Sequence, residues 1–246
     1  MTPTELETQI NAWLAPERFS DYAPNGLQLD SDRPVRTLVS GVTANQALID
    51  AAVDAGADAL LVHHGWFWKG ESQTLTGLKG RRVRTMLEAG ISLLAYHLPL
   101  DAHPQLGNNA ELARLMGWRS DAPLNPEGIG NLGSCDPISG ADMAAALALK
   151  LGQAPLWIDA RRPIHRLGWC TGAAQSYFQS AIDQGVDAFV TGEISEPMVH
   201  LAREAGVHYF AAGHHATERY GVQALGRRLA EQCGLAHQFI EIASPV

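Results

Sequence analysis

The chain repeats itself at the level of helix–strand units. QALIDAAVDAGADALLV at 46–62 returns as QSYFQSAIDQGVDAFVT at 175–191 with six of 17 positions identical, and EAGISLLA at 88–95 returns as EAGVHYFA at 204–211 with four of eight identical. Each copy reads as an amphipathic helix, a glycine stop and an unbroken apolar strand. Strands of that kind are buried on both faces, as parallel strands under helices are. The offset between copies shortens from 129 to 116, which places 13 extra residues in the first copy, in the polar, glycine-containing stretch 66–80. The fold class that follows is α/β, with two similar α/β domains from internal duplication and mostly parallel sheets covered by helices. The expected division is 1–125 and 126–246.

The rest of the chain fits that frame. Helices are expected at 4–15, 46–55, 82–89, 109–116, 141–151, 175–184, 197–205 and 218–233, from apolar spacing and glycine stops. Strands are expected at 35–42, 59–62, 91–96, 164–170, 187–191, 207–212 and 237–242. The prolines and glycines of 118–140 suggest a connector or an irregular β region. Residues 97–107 read as a loop.

Composition narrows the function classes. The net charge is −8, with 18 basic and 26 acidic residues, so the chain exerts no bulk attraction on a phosphate backbone, which argues against nucleic acid. No apolar run is long enough to span a membrane. The first 30 residues carry Glu5, Glu7 and Asp21 and no apolar signal core, so a cytoplasmic location is expected. Cys135, Cys170 and Cys233 are scattered, which excludes a CxxC zinc site or a disulfide framework. Gly128-Ile-Gly130-Asn-Leu-Gly133 spells a dinucleotide-binding glycine pattern, but Pro126 precedes it and no helix follows. The basic run from Lys79 to Arg84 reads as a solvated helix face.

Histidine is the unusual count, at ten, and its placement is more telling than its number. His63 and His64 follow an apolar strand directly, and Gly192 and Glu193 hold the same place in the second copy. His97-Leu-Pro-Leu-Asp101 follows the next strand, and His214-His-Ala-Thr-Glu218 follows its counterpart, both with His-x3-carboxylate spacing. Open α/β sheets place ligands at the carboxyl ends of their strands. Imidazole plus carboxylate, without thiolate, is the donor set for zinc, ferrous iron or manganese. Any one of these histidines alone would more often cap or pack a loop, and His-x3-Glu alone could be an exposed helical pair. It is their coincidence at equivalent strand ends that points to metal.

The stretches SDYAPNGLQ (20–28), GVTANQALIDAAVDAGADALLVHHG (41–65), YHLPLDAHPQLGNNAELA (96–113), DAFVTGE (187–193) and AAGHHATERYG (211–221) resemble the Nif-three-like dinuclear-metal family, in particular its YbgI type. Bacterial members of that family are called GTP cyclohydrolase 1 type 2 homologs. The resemblance implies two divalent ions per chain, held by His63, His64, Asp101, His214 and Glu218, a site between the two domains, and a toroidal homohexamer. Tyr22-Ala-Pro24-Asn25-Gly26 departs from the Trp-Asp-Asn-x-Gly run of many relatives.

Five side chains cannot close the coordination of two ions, and an open dinuclear site suits hydrolysis. His97 and Glu193 would then orient a ligand or shuttle a proton, while His103 and His215 read as polar loop residues. Three classes of function stay open: a metal-dependent hydrolase of a nucleotide-like or phosphorylated small molecule, a metal-binding or metal-delivery protein without turnover, and an interaction ring with structural metals. Trp66-Phe67-Trp68, in the inserted loop, suits either an interface or pocket wall or a loop folded over its own core.

Overall fold

The computed structural model describes residues 1–246. In chain order the first elements are α1 (Pro3–Leu14), β1 (Gly26–Leu29), β2 (Thr37–Thr43), α2 (Gln46–Asp54), β3 (Ala59–His64), α3 (Gly77–Ala89) and β4 (Ser92–Ala95). The short α4 (Leu98–Ala102) leads to α5 (Asn108–Met116), β5 (Arg119–Pro123), β6 (Asn131–Ile138), α6 (Gly140–Leu151), β7 (Leu156–Ile158) and β8 (Ile164–Trp169). Then come α7 (Phe178–Asp183), β9 (Ala188–Thr191), α8 (Glu196–Ala205), β10 (His208–Ala211), α9 (His214–Cys233) and β11 (Ala236–Phe239).

Two compact units result: Met1–Leu100 with Gly221–Ile242, and Asp101–Tyr220 with Ala243–Val246. The contacts therefore divide the chain differently from the sequential split at 125/126. The reason is strand pairing: β11, at the far end of the chain, lies parallel to β2, with Ala236 opposite Thr37.

The first unit's sheet has the order β1-β4-β3-β2-β11, parallel except for the edge strand β1. Leu60, Val62 and Leu93 from this sheet pack with Leu48, Ile49 and Ala52 of α2 and Met86 of α3, all fully buried or nearly so. Each Leu or Ile so buried contributes roughly 1.5–3 kcal/mol. Helix α1 starts with a capping box, in which Thr2 accepts from the Glu5 amide and Glu5 accepts from the Thr2 amide.

The second unit's sheet has the order β5-β6-β8-β9-β10-β7, and only β8-β9-β10 run parallel. The parallel expectation thus holds for the duplicated strands, and the strands added outside them are antiparallel. The proline-rich stretch 118–140 forms two of these, β5 and β6, with a register shift in their pairing. Leu167, Trp169, Ala188, Val190 and Phe210 form the core with Met143, Leu147 and Leu151 of α6.

The repeat survives in the strand register. Leu38 stands opposite Ala59 and Ala59 opposite Ser92, while Leu167 stands opposite Ala188 and Ala188 opposite His208. These pairs are related by the sequence offsets of 129 and 116. The aspartate shared by the copies has one job in both. Asp58 Oδ2 accepts from the amides of Arg36 and Thr37, both at 2.9 Å, and Asp187 Oδ2 accepts from those of His165 and Arg166 at 3.0 and 2.8 Å. A carboxylate satisfying two consecutive amides fixes where the neighbouring strand begins.

Expected elements recur with modest boundary changes. Helix α3 begins at Gly77 rather than 82, and α4 occupies part of the expected loop 97–107. Strands β1 and β7 are additions to the expected set. Of the three aromatics in the inserted loop, Trp66 is buried and donates from Nε1 to Ala44 O at 2.9 Å, and Phe67 packs on the same core under the Lys79 ammonium.

Candidate metal centre

In the first unit the carboxyl ends of β3 and β4 bring three imidazoles together. The metal-binding atoms of His63, His64 and His97 all lie within 4.8 Å of one another. The chain leaves β3 through Gly65, where a Cβ would stand 2.5 Å from the Cβ of Ala95. That close passage explains the glycine of the HHG run. Trp68 stands edge-on to His97 at a centroid distance of 5.0 Å and also approaches His64 at 5.9 Å. It forms a wall of the cluster, which gives the third loop aromatic its place.

Each ring is anchored through Nδ1. His63 Nδ1 is 2.9 Å from Tyr96 O, His97 Nδ1 is 2.7 Å from Asp21 Oδ1, and His64 Nδ1 is 3.2 Å from Thr43 Oγ1. A carbonyl and a carboxylate only accept, so Nδ1 of His63 and of His97 carries the proton. In the neutral ring the lone pair then sits on Nε2. Histidine ligands to metals are held in this way.

Asp21 is the centre of the His97 support. Its Oδ1 also accepts from its neighbour's amide, that of Tyr22, and its Oδ2 accepts from Asn25 Nδ2 at 2.9 Å and the Leu98 amide at 3.0 Å. Asn25 Oδ1 in turn accepts from the His97 amide at 2.7 Å. Burial pushes the Asp21 carboxyl upward, but hydrogen bonds from His97, Asn25 and the Leu98 amide, with the His97 charge, outweigh it and hold the group at about 2. Asp21 and Asn25 carry no sequence signal of this role, since a turn has no periodicity to mark which side chains face inward.

In the second unit the ligand-type residues lie at the ends of β9 and β10 and on α4 and α9. His214 Nδ1 is 2.7 Å from Glu193 Oε1, and its Nε2 is 2.9 Å from Glu218 Oε2. The His-x3-Glu spacing is thus a helical i, i+4 pair, yet not an exposed one, because Glu218 is only 3% exposed. Burial pulls the His214 ring down, but the bonds and charges of Glu218 and Glu193 outweigh it and raise the ring to about 9. The imidazolium therefore supplies the positive charge that these two carboxylates require.

Glu193 is itself held through its backbone, whose carbonyl accepts from the buried Tyr209 hydroxyl at 2.7 Å. Asp101 is buried, and its Oδ1 accepts from Asn108 Nδ2 at 2.9 Å and from Thr171 Oγ1 at 3.4 Å. Burial, with the charges of Asp101 and Glu218, pushes the Cys170 thiol well up. It stays a neutral thiol, in keeping with a donor set free of thiolate. His103 Nδ1 accepts from the amides of Gln105 and Leu106 at 3.1 and 3.0 Å, which makes it the loop residue its position suggested.

The chain is similar to known proteins over its whole length. Residues 1–245 match the family described as Duf34/NIF3 (NGG1p interacting factor 3). A GTP cyclohydrolase 1 type 2 homolog of Pseudomonas aeruginosa is 53% identical over 244 residues, covering 98% of this chain and 97% of its own. A protein of the same name from Escherichia coli K12 is 50% identical over 250 residues, with both chains fully covered. Among solved structures, the protein ybgI, described as of unknown function, superposes with a TM-score of 0.97 at 48% identity over all of both chains. TTHA1606 from Thermus thermophilus does so with a TM-score of 0.93 at 32% identity, again over all of both chains. On sequence and fold together, the chain belongs to the Duf34/NIF3 family.

Proposed function

We propose that this protein is a metal-dependent hydrolase that holds two divalent ions through His63, His64, Asp101, His214 and Glu218 and acts on a nucleotide-like or phosphorylated small molecule. The observation that carries the reading is the anchoring of the rings through Nδ1. His63 on Tyr96 O presents Nε2 as the binding nitrogen, and His214 on Glu193 does so once the proton between its Nε2 and Glu218 is released. The donor set of three imidazoles and two buried carboxylates suits zinc, ferrous iron or manganese.

Ions of this kind lower the pKa of bound water towards about 7 and stabilise charge on a transferring group. The protein's own residues then have separate tasks. Asp21 fixes the His97 ring with Nδ1 protonated, so its Nε2 can take or return a proton beside the ligand histidines. Glu193 orients His214, and Asn108 and Thr171 orient Asp101. Trp68 offers a flat apolar wall next to His97. The substrate class rests on the name carried by the relatives and on the hydrolytic character of an open pair of ions.

The same reading makes the protein a toroidal homohexamer in the cytoplasm. Leu75, Leu78 and Leu87, on and just before α3, are 50%, 66% and 51% exposed, apolar surface of the kind that assembly covers. Sedimentation at micromolar concentration tests the ring, and a clean monomer contradicts it. The function itself is tested by metal analysis of tag-free protein followed by a hydrolase substrate screen. Bound metal with hydrolysis of a phosphorylated or nucleotide substrate is expected; bound metal with no turnover on any of them would instead favour a metal carrier.

A further inference from the structure

Gly172 stands against the ligand carboxylate of the second unit. Its φ is +71°, and a Cβ built on it would overlap Glu218 Oε1, lie 2.8 Å from Glu218 Cδ and come within 3.4 Å of His214 Nε2. The Gly172 backbone cannot retreat from such a clash. Its amide donates to Thr217 Oγ1 at 3.1 Å, and its carbonyl accepts from the Gly192 amide at 2.8 Å and from Thr191 Oγ1 at 3.0 Å. Thr191 and Thr217 are completely buried, so these anchors are themselves fixed. Behind the turn, Gly192 lies so close to α9 that a Cβ there would stand 2.6 Å from His214 Cα. The room for a side chain at 172 is therefore already taken by the Glu218 carboxylate.

We propose that Gly172 is a positioning residue: by lacking a side chain it admits the Glu218 carboxylate to the metal centre, and any L side chain there expels it. The proposal rests on Glu218 being a ligand, as argued above. It makes the Thr171-Gly172 turn a part of the centre although neither residue is one of its five proposed ligands.

Gly117 supplies a matched control. It has the same φ of +71°, but a Cβ there meets nothing within 4 Å. Gly117→Ala therefore reports the backbone cost of a left-handed alanine without any steric contact. Zinc titrated against a chromogenic chelator should bind Gly172→Ala at least about 10-fold more weakly than wild type, the loss typical of a disturbed supporting group. Gly117→Ala should bind as wild type does. Thermal melts of the chelator-treated chains give a second reading that does not depend on metal. Gly172→Ala should lower the midpoint more than Gly117→Ala does, and in a Glu218→Ala background the two should cost the same. Gly172→Ala binding zinc like Gly117→Ala, with no difference between the two backgrounds, would overturn the proposal. Glu218→Ala retaining all the metal of wild type would instead remove the ligand reading on which it stands.

Discussion

Glu193 Oε1 accepts the Nδ1 proton of His214 at 2.7 Å, while Nε2 of the same ring faces Glu218 at 2.9 Å. One imidazole is therefore shared between an orienting carboxylate and a proposed ligand carboxylate, and Asp21 repeats the orienting half of this arrangement on His97 at 2.7 Å. Neither Glu193 nor His97 belongs to the proposed ligand set. Glu193→Gln, whose amide oxygen can still accept from His214, and His97→Asn should therefore keep their metal. Once a substrate is in hand, kcat should fall by about 10–100-fold for Glu193→Gln and by about 10²–10⁴ for His97→Asn. Lost metal in either variant would enlarge the ligand set, and unchanged kcat in both would leave them as ordinary polar residues.

Metal uptake should release a proton from His214. In the metal-free chain this ring is raised to about 9, so at pH 7 it is protonated, whereas a ligand must offer its lone pair. Apparent affinity should then rise by up to about tenfold per pH unit between pH 7 and pH 9 and level off above that. Calorimetry in buffers of different ionisation heat counts the proton directly. An affinity that is flat over this range contradicts the ion-pair geometry.

Asp21 should matter to stability as well as to His97. Its carboxyl is held at about 2 against an ordinary 3.8, so folding favours the charged form. That contribution is fully present above about pH 4 and is lost as pH falls towards 2. It is worth about 2 kcal/mol by the size of the shift. Urea denaturation of chelator-treated Asp21→Asn should show a deficit of this order at pH 6 that shrinks between pH 4 and pH 2. A deficit independent of pH would mean that the carboxylate's charge is not what stabilises the turn.

Asp58 and Asp187 should both be costly to remove, Asp187 at least as much as Asp58 because it also holds the Arg162 guanidinium. Each satisfies two consecutive amides at the start of a parallel strand, and removing the acceptor leaves both short of a charged partner. Asp58→Ala and Asp187→Ala should each lose about 2 kcal/mol or more in chemical denaturation. Asp54→Ala, on an exposed position of α2, should stay within about 0.5 kcal/mol of wild type. A cost at only one of the pair would show that the repeat conserves the residue without conserving its task.

These two aspartates also mark how far the amino-acid sequence alone is legible. The matched Asp-Ala of the two copies identifies the duplicated units because a parallel strand pair has one register that buries its apolar run, and both copies keep it. The strand-end histidines and carboxylates are visible because glycine and apolar punctuation fixes where strands end. Asp21, Asn25, Asn108 and Gly172 are not visible in their roles. Asp21, Asn25 and Gly172 work across tens of residues, as from Asp21 to His97, and side chains in turns obey no period; Asn108 reaches Asp101 over seven residues, from one helix to the next. Strand β7 has three residues, too few for alternation to register. The return of β11 to the first sheet is a tertiary choice that local sequence does not encode.

The most direct test of the account is the metal content of tag-free protein measured by elemental analysis. The wild-type chain should carry up to two divalent ions, and a His63→Ala, His64→Ala, Glu218→Ala triple variant should remain folded by circular dichroism and carry none. Full metal content in the folded triple variant would contradict the metal centre proposed here.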